Sequence, residues 1–243
     1  MPKPLKTAII FLCWLLLWQL AAMAVGSALL LPSPIVTAKA LVRLGSTALF
    51  WETTLATLLR VTAGFLLGMA AGTVLGVITA LSRGADAFLS PLRSVVKATP
   101  VTSFIILVLL WITTTLTPVF IAFLMVMPIA WANVREGILA VDGQLLEMAE
   151  LFRLPRRERL KRIYLPSVVP HYLAACTTAF GFAWKSGVAA EVIARPAHSI
   201  GKYLYESKLY LNTDELFAWT VAVILLSMLL ERLLVRAIKG VRK

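Results

Sequence analysis

Residues able to do covalent or acid–base chemistry are few in this chain and poorly spaced for it. The two histidines, His171 and His198, stand far apart, and the two cysteines, Cys13 and Cys176, each lie inside an apolar run. A metal centre needs several clustered ligands, and a nucleophile needs a neighbouring base. Neither arrangement is present, so no metal, no cofactor and no catalytic residue is expected. No GxxxxGK(S/T) string offers a phosphate cradle either. The spacing that does stand out is a charged island, Glu147–Pro166, reading EMAELFRLPRRERLKRIYLP. A 37-residue stretch without a charged side chain (98–134) lies ahead of it, and another of 22 (163–184) follows. Its charges are arranged to grip a partner rather than to react.

Within and just before the island, Leu145, Met148, Ala149 and Phe152 recur at i, i+3, i+4 and i+7, the stripe of an amphipathic helix, with Gln144, Glu147 and Glu150 off it. Pro155 then breaks that helix or opens a new one. The following segment repeats the pattern, with Leu160, Ile163 and Tyr164 apolar and Arg156, Arg157, Arg159, Lys161 and Arg162 facing outward. Two short helices hinged near the proline would make a compact knob. A basic helix lying on anionic headgroups is the plainer alternative, but the acids of the first helix would be repelled there.

The elements that must hold this knob are membrane spans. The chain is 243 residues long, 60% hydrophobic and 15% charged, with a net charge of +12 and a mean hydropathy of +0.86. A soluble domain carries about 45–50% apolar and about 25% charged residues. An all-α, polytopic membrane protein with six transmembrane helices is expected. Residues 7–38 are uncharged and long enough to anchor the chain, although Ala22-Met23-Ala24 imitates a signal-peptidase site. Residues 35–60 read as an amphipathic connection. Further spans are expected at about 61–82, 98–112, 118–134, 167–190 and 216–235, with a turn at Thr113–Thr115 and Pro118 and a polar loop over 191–215.

In the second span Gly64, Gly68, Gly72 and Gly76 recur every four residues. They line one helix face, where small residues let a second helix approach closely, the usual reason for this motif; a pore-lining face is the functional alternative. Thr99, Thr102, Ser103 and Asn133 supply polar atoms among the prolines of the third and fourth spans. They serve either interhelical hydrogen bonds or the wall of a conduit. Thr178, Gly181 and Lys185 share one face of the fifth span. Lys185 either snorkels to the interface or marks a solute path, and Glu191 lies on a different face.

Seventeen of the 24 lysines and arginines fall at the N-terminus, in 83–97, in 135–162 and in the C-terminal tail, and six fall on the opposite side. The excess belongs in the cytoplasm. Both termini and the island are therefore expected to be cytosolic, which explains the basic total as topology and leaves no role for nucleic acid.

At the island the chain resembles the permease subunit of a binding-protein-dependent ABC importer, a type I importer-like fold. The family pattern is Glu-Ala-Ala, three residues, Gly, nine residues, then Ile-x-Leu-Pro. Glu147, Ala149, Ile163, Leu165 and Pro166 match it at full spacing, whereas Met148 replaces an alanine and Arg153 the glycine. Arginine adopts a left-handed conformation reluctantly, so either Arg153 does so here or Pro155 redirects the turn. Arg60 to Gly76, Pro91-Leu92-Arg93 to Pro100, and Ala189-Ala190-Glu191 with Ser199-Ile200-Gly201 resemble the nitrate/sulfonate/taurine branch; Trp111-Ile112-Thr113 stands where that branch has a Trp-Phe-Gly-like segment.

The resemblance implies an anchor and periplasmic connection over 1–54, a permease core over 55–240 with its coupling segment at 142–165, and a cytosolic tail over 241–243. It implies a multi-pass protein of the cell inner membrane, working as a homodimer with two ABC ATPase subunits and an extracytoplasmic solute-binding protein. Coupling would fall to Glu147, Ala149, Phe152, Arg153, Leu154, Pro155, Arg156, Ile163, Leu165 and Pro166. The solute path would draw on Thr99, Thr102, Ser103, Asn133, Thr178, Lys185 and Glu191, for a small anion. The permease itself would not be an enzyme. An ion-coupled secondary transporter or channel would instead show inverted repeats or acids within its spans, and neither is evident.

Overall fold

In a computed structural model that describes residues 3–241, the chain is helical throughout, with no strand among the described residues. The helices are α1 (Lys3–Val25), α2 (Pro34–Gly45), α3 (Ala48–Leu81), α4 (Arg83–Ala98), α5 (Val101–Val108), α6 (Thr117–Leu139), α7 (Gly143–Leu151), α8 (Arg156–Arg159), α9 (Leu165–Ala194), α10 (Ile200–Leu209) and α11 (Thr213–Val241). A π-helical turn, Leu160–Tyr164, joins α8 to α9 without a break.

Local chemistry sets most boundaries. The apolar run 7–38 is not one helix, because Gly26 turns the chain at a φ of +67°. Ser33 then starts α2, its hydroxyl accepting the Val36 N–H, with Pro34 in the first turn. Both devices are ordinary helix-start chemistry. Thr47 caps α3 in the same way, so the second span begins well before residue 61 and absorbs much of the expected amphipathic connection. Ser82 ends α3 and caps α4. The polar stretch 191–215 is not a loop, since it holds α10, capped by Ser199.

The third span also differs from expectation. Residues 83–98 form a helix, and α5, only eight residues long, meets it at a 96° bend. Thr99 is extended and Pro100 has no N–H to donate, so the helix cannot run through this point. An eight-residue helix rises about 12 Å and cannot cross a bilayer core of about 30 Å. Among the described residues, three helices are long and apolar enough to do so: Leu5–Val25, Ala48–Leu81 and Thr117–Leu139. The bent α4–α5 pair would make a fourth. Helices α9 and α11, of 30 and 29 residues, also have the length to cross.

Helix α6 forms the centre, with Ile121, Ala122, Val126, Ala130 and Trp131 fully buried. Helix α3 lies along it through the glycine face. A Cβ at Gly68 would stand 2.7 Å from Val126 Cβ, and one at Gly76 2.8 Å from Val134 Cβ; Gly64 and Gly72 meet Ala122 and Ala130 in the same way. The four-residue period on α3 is thus matched by a four-residue period on α6. On its other side α6 carries α9, where Gly137 meets Val168 and His171. Trp131 donates to the Thr79 hydroxyl at 2.8 Å. Arg135 (2.7 Å) and Arg93 (3.7 Å) converge on Asp86, tying α4 to the end of α6. Opposite this corner, Trp219 stacks between Phe50 and Tyr203, joining α11 to α3 and α10.

Candidate functional site

Three groups of residues are candidates for a functional or organising role: the island, the exposed face of α9, and a buried ion pair that the sequence pattern did not announce.

In the island, α7 begins at Asp142, whose carboxylate accepts the Gln144 N–H at 2.9 Å. It ends in a closed turn: Leu154 N–H donates to Ala149 O and Arg153 N–H to Glu150 O, both at 2.9 Å. This double bond pattern is a Schellman motif, which needs a left-handed residue after the helix. Arg153 supplies it, at a φ of 50°. The left-handed geometry is therefore kept despite the missing glycine. Arg159 reinforces the turn, donating from Nε to Leu154 O at 2.9 Å and lying 3.6 Å from Glu150.

The two halves of the island differ from expectation in two respects. Only Ala149 of the apolar stripe is buried; Leu145, Met148 and Phe152 are exposed, as is Leu151 at 81%. The second half is not a separate helix but an extension of α9 at its N-terminal end. The π turn sits just ahead of Pro166, with Leu165 N–H reaching back to Leu160 O. Such a widened turn accommodates a proline that would otherwise clash with the carbonyl four residues back. Ile163 is buried and Tyr164 half-buried, while Glu147, Arg153, Pro155, Arg156, Leu165 and Pro166 are exposed and Leu154 is half-buried.

Of the solute-path candidates, Thr102 and Ser103 on α5 and Thr178 and Lys185 on α9 are exposed, Thr99 half-exposed. Lys185 makes no ion pair among the described residues. Asn133 instead donates to Ile129 O of its own helix at 2.8 Å, which is local hydrogen bonding.

Glu191 requires a correction. It is fully buried, and both its oxygens are engaged. Arg60 Nη1 donates to Oε1 at 3.1 Å, and the Thr57 hydroxyl (2.9 Å) and Gly201 N–H (3.3 Å) donate to Oε2. Arg60 also donates to the carbonyls of Ala197 and His198, and Ile200 N–H to Thr57 Oγ1. This is a clamp joining α3, α9 and the start of α10, with no side left open for a solute. Gly201 is required by it, because a Cβ there would collide with Glu191 itself. The available signal was that Arg60 and Glu191 are opposite charges at the same predicted membrane side of two different spans.

Fold and sites together define a helical, membrane-integral transport subunit. The chain belongs to the family of binding-protein-dependent transport system inner membrane components, which it matches over residues 72–243. It is 26% identical over 211 residues to the putative aliphatic sulfonates transport permease SsuC of Bacillus subtilis, covering 83% of this chain and 74% of that one. It is 23% identical to the bicarbonate transport permease CmpB of Synechococcus elongatus, covering 76% and 66%. To the nitrate import permease NrtB of the same organism it is 28% identical, covering 63% and 55%. Two solved structures share the fold: an amino acid ABC transporter (TM-score 0.59, 15% identity, 77% of this chain and 91% of that one) and the MetNI methionine transporter (0.58, 17%, 79% and 93%). The chain is thus an ABC importer permease. It is not itself an enzyme; ATP is hydrolysed by separate partner subunits.

Proposed function

We propose that this permease pairs with a second copy of itself to form the path for a small anion, and that the Glu147–Pro166 segment couples it to two cytosolic ATPases. The chain crosses the membrane six times, through α1, α3, the bent α4–α5 pair, α6, α9 and α11, with both termini cytosolic. The observation that carries the coupling reading is the surface of α7. Leu145, Met148, Leu151 and Phe152 are exposed on a short helix whose end is locked by the Schellman turn. An apolar patch of that kind, ringed by charge, marks a protein contact.

Because α8, the π turn and α9 run on without interruption, closure of the ATPases would displace the island and α9 as one lever. That lever carries the Thr178–Lys185 face. The anion reading is supported by Lys185 on that face and by relatives named for sulfonates, bicarbonate and nitrate. An extracytoplasmic binding protein delivers the solute and supplies most of the selectivity.

The test is co-purification with the cognate ATPase. Wild type should hold it through detergent extraction, and Glu147→Arg should release it while the permease alone keeps its unfolding temperature. Intact binding and uptake in Glu147→Arg would refute the coupling assignment.

A further inference from the structure

A groove of about 740 Å³ opens between α3 and α9 near the island, with α6 as its floor. Above it the same two helices are closed together by the Phe65–Phe180 edge contact and by Val61 against Gly187. Its walls are apolar, formed chiefly by Val77, Leu81, Ile138 and Val168. Its polar groups sit at the two ends. Thr73 and Tyr172 lie at the inner end, eight residues above Leu81, or about 12 Å along α3. Arg156 and Arg159 lie at the outer end, on the first turn of α8. Arg159 is already committed to Leu154 O and Glu150. Arg156 is exposed and makes no ion pair among the described residues.

We infer that this groove is a binding site for one anionic phospholipid, its acyl chain lying along α6 and its phosphate on Arg156. An apolar slot some two helical turns deep, ending in an unpaired guanidinium at the edge of a membrane bundle, is complementary to a molecule with an apolar chain and one anionic head. Guanidinium favours phosphate because its planar donors match the oxygens. A cation beside anionic headgroups also gains from their surface potential. The permeating solute fits the slot poorly, because a small, strongly hydrated anion gains nothing from apolar walls. The candidate path residues Thr178 and Lys185 are on a part of α9 that does not line the groove. Seated between α3 and α9, the lipid would wedge the lever against the rest of the bundle, so its presence bears on how easily α9 moves.

The inference shares with the proposed function only the placement of this end of the bundle at the headgroup level. Native mass spectrometry of the purified permease–ATPase complex, with phosphatidylglycerol and phosphatidylcholine of identical chains added in turn, tests it. Phosphatidylglycerol should be retained preferentially. Arg156→Glu should reduce that retention on the order of tenfold, the loss of one charge-assisted contact. Val168→Trp, which fills the slot, should reduce retention of both lipids, and Arg232→Glu, an exposed charge reversal on α11 outside both the groove and the coupling segment, should leave retention unchanged. Equal retention of the two lipids by wild type, or wild-type retention by both Arg156→Glu and Val168→Trp, overturns the site. A cross-link from Val77→Cys to a second permease copy would show a protein helix in the groove and overturn it as well. Failure of ATPase association alone would count against the coupling reading and leave the lipid site standing.

Discussion

Arg60 and Glu191 lie 131 positions apart in sequence, yet Arg60 Nη1 meets Glu191 Oε1 at 3.1 Å. The carboxylate is fully enclosed and the guanidinium only 15% exposed. The pair fixes the end of α9 to α3 and seats α10 on both, so it holds that end of the bundle together while the island stands free at the other end.

Removing one partner of this pair should be far worse than removing both. Arg60→Ala leaves a buried carboxylate without its cation and should cost about 3–5 kcal/mol. Glu191→Gln keeps acceptance from Thr57 and Gly201 and should cost less. Arg60→Met combined with Glu191→Leu should recover part of the Arg60→Ala loss. Thermal unfolding of the purified permease in detergent ranks the three; an Arg60→Ala unfolding temperature equal to wild type would remove the clamp.

The glycine face should tolerate no side chain. Gly68→Leu forces α3 away from Val126 and should destabilise by about 1–3 kcal/mol or more. Gly181→Ala, where a Cβ meets nothing within 4 Å, should be neutral or slightly stabilising, since alanine is the better helix former. Comparable losses for both in the same unfolding assay would contradict the packing described.

Arg153 occupies a left-handed position at a φ of 50°. A left-handed residue other than glycine costs about 1–2 kcal/mol, offset in part by the extra unfolded-state freedom of glycine. Arg153→Gly should therefore stabilise the turn by up to about 1 kcal/mol, and the β-branched Arg153→Val should weaken it. Hydrogen exchange at the Leu154 amide, which closes the turn on Ala149, reads this directly: protection should rise in the first variant and fall in the second.

Lys185 should act through its charge. Loss of a hydrogen bond to a charged group is worth about 1.5–3 kcal/mol, so Lys185→Ala should raise the half-saturating binding-protein–solute concentration for uptake about tenfold. Lys185→Arg should restore most of it. Proteoliposome uptake with the cognate binding protein measures both; wild-type kinetics in Lys185→Ala would return this lysine to the membrane interface.

The sequence by itself determined the features that are local in the chain. Membrane class follows from composition, because uncharged runs of spanning length have few other homes. The glycine face of α3 was legible because a period of four is a property of one helix. The island was legible because its charges and prolines are contiguous, and its left-handed turn was foreseeable as one of two geometries. Ser199, a strong N-cap residue, was the overlooked local sign of α10.

Only the tertiary structure decided what depends on two distant segments meeting. The Arg60–Glu191 clamp exists because α3 and α9 both lie on α6, and neither residue announces the other. The break at Thr99–Pro100 became a 96° bend because α5 packs back on α6 and α9 through Ile105, Val108 and Ala190. The island joined α9 as one continuous piece because a π turn absorbed Pro166, a choice that packing makes and periodicity does not record. Side-chain patterns fix which residues prefer to be covered; which residues cover them is fixed only when the helices assemble.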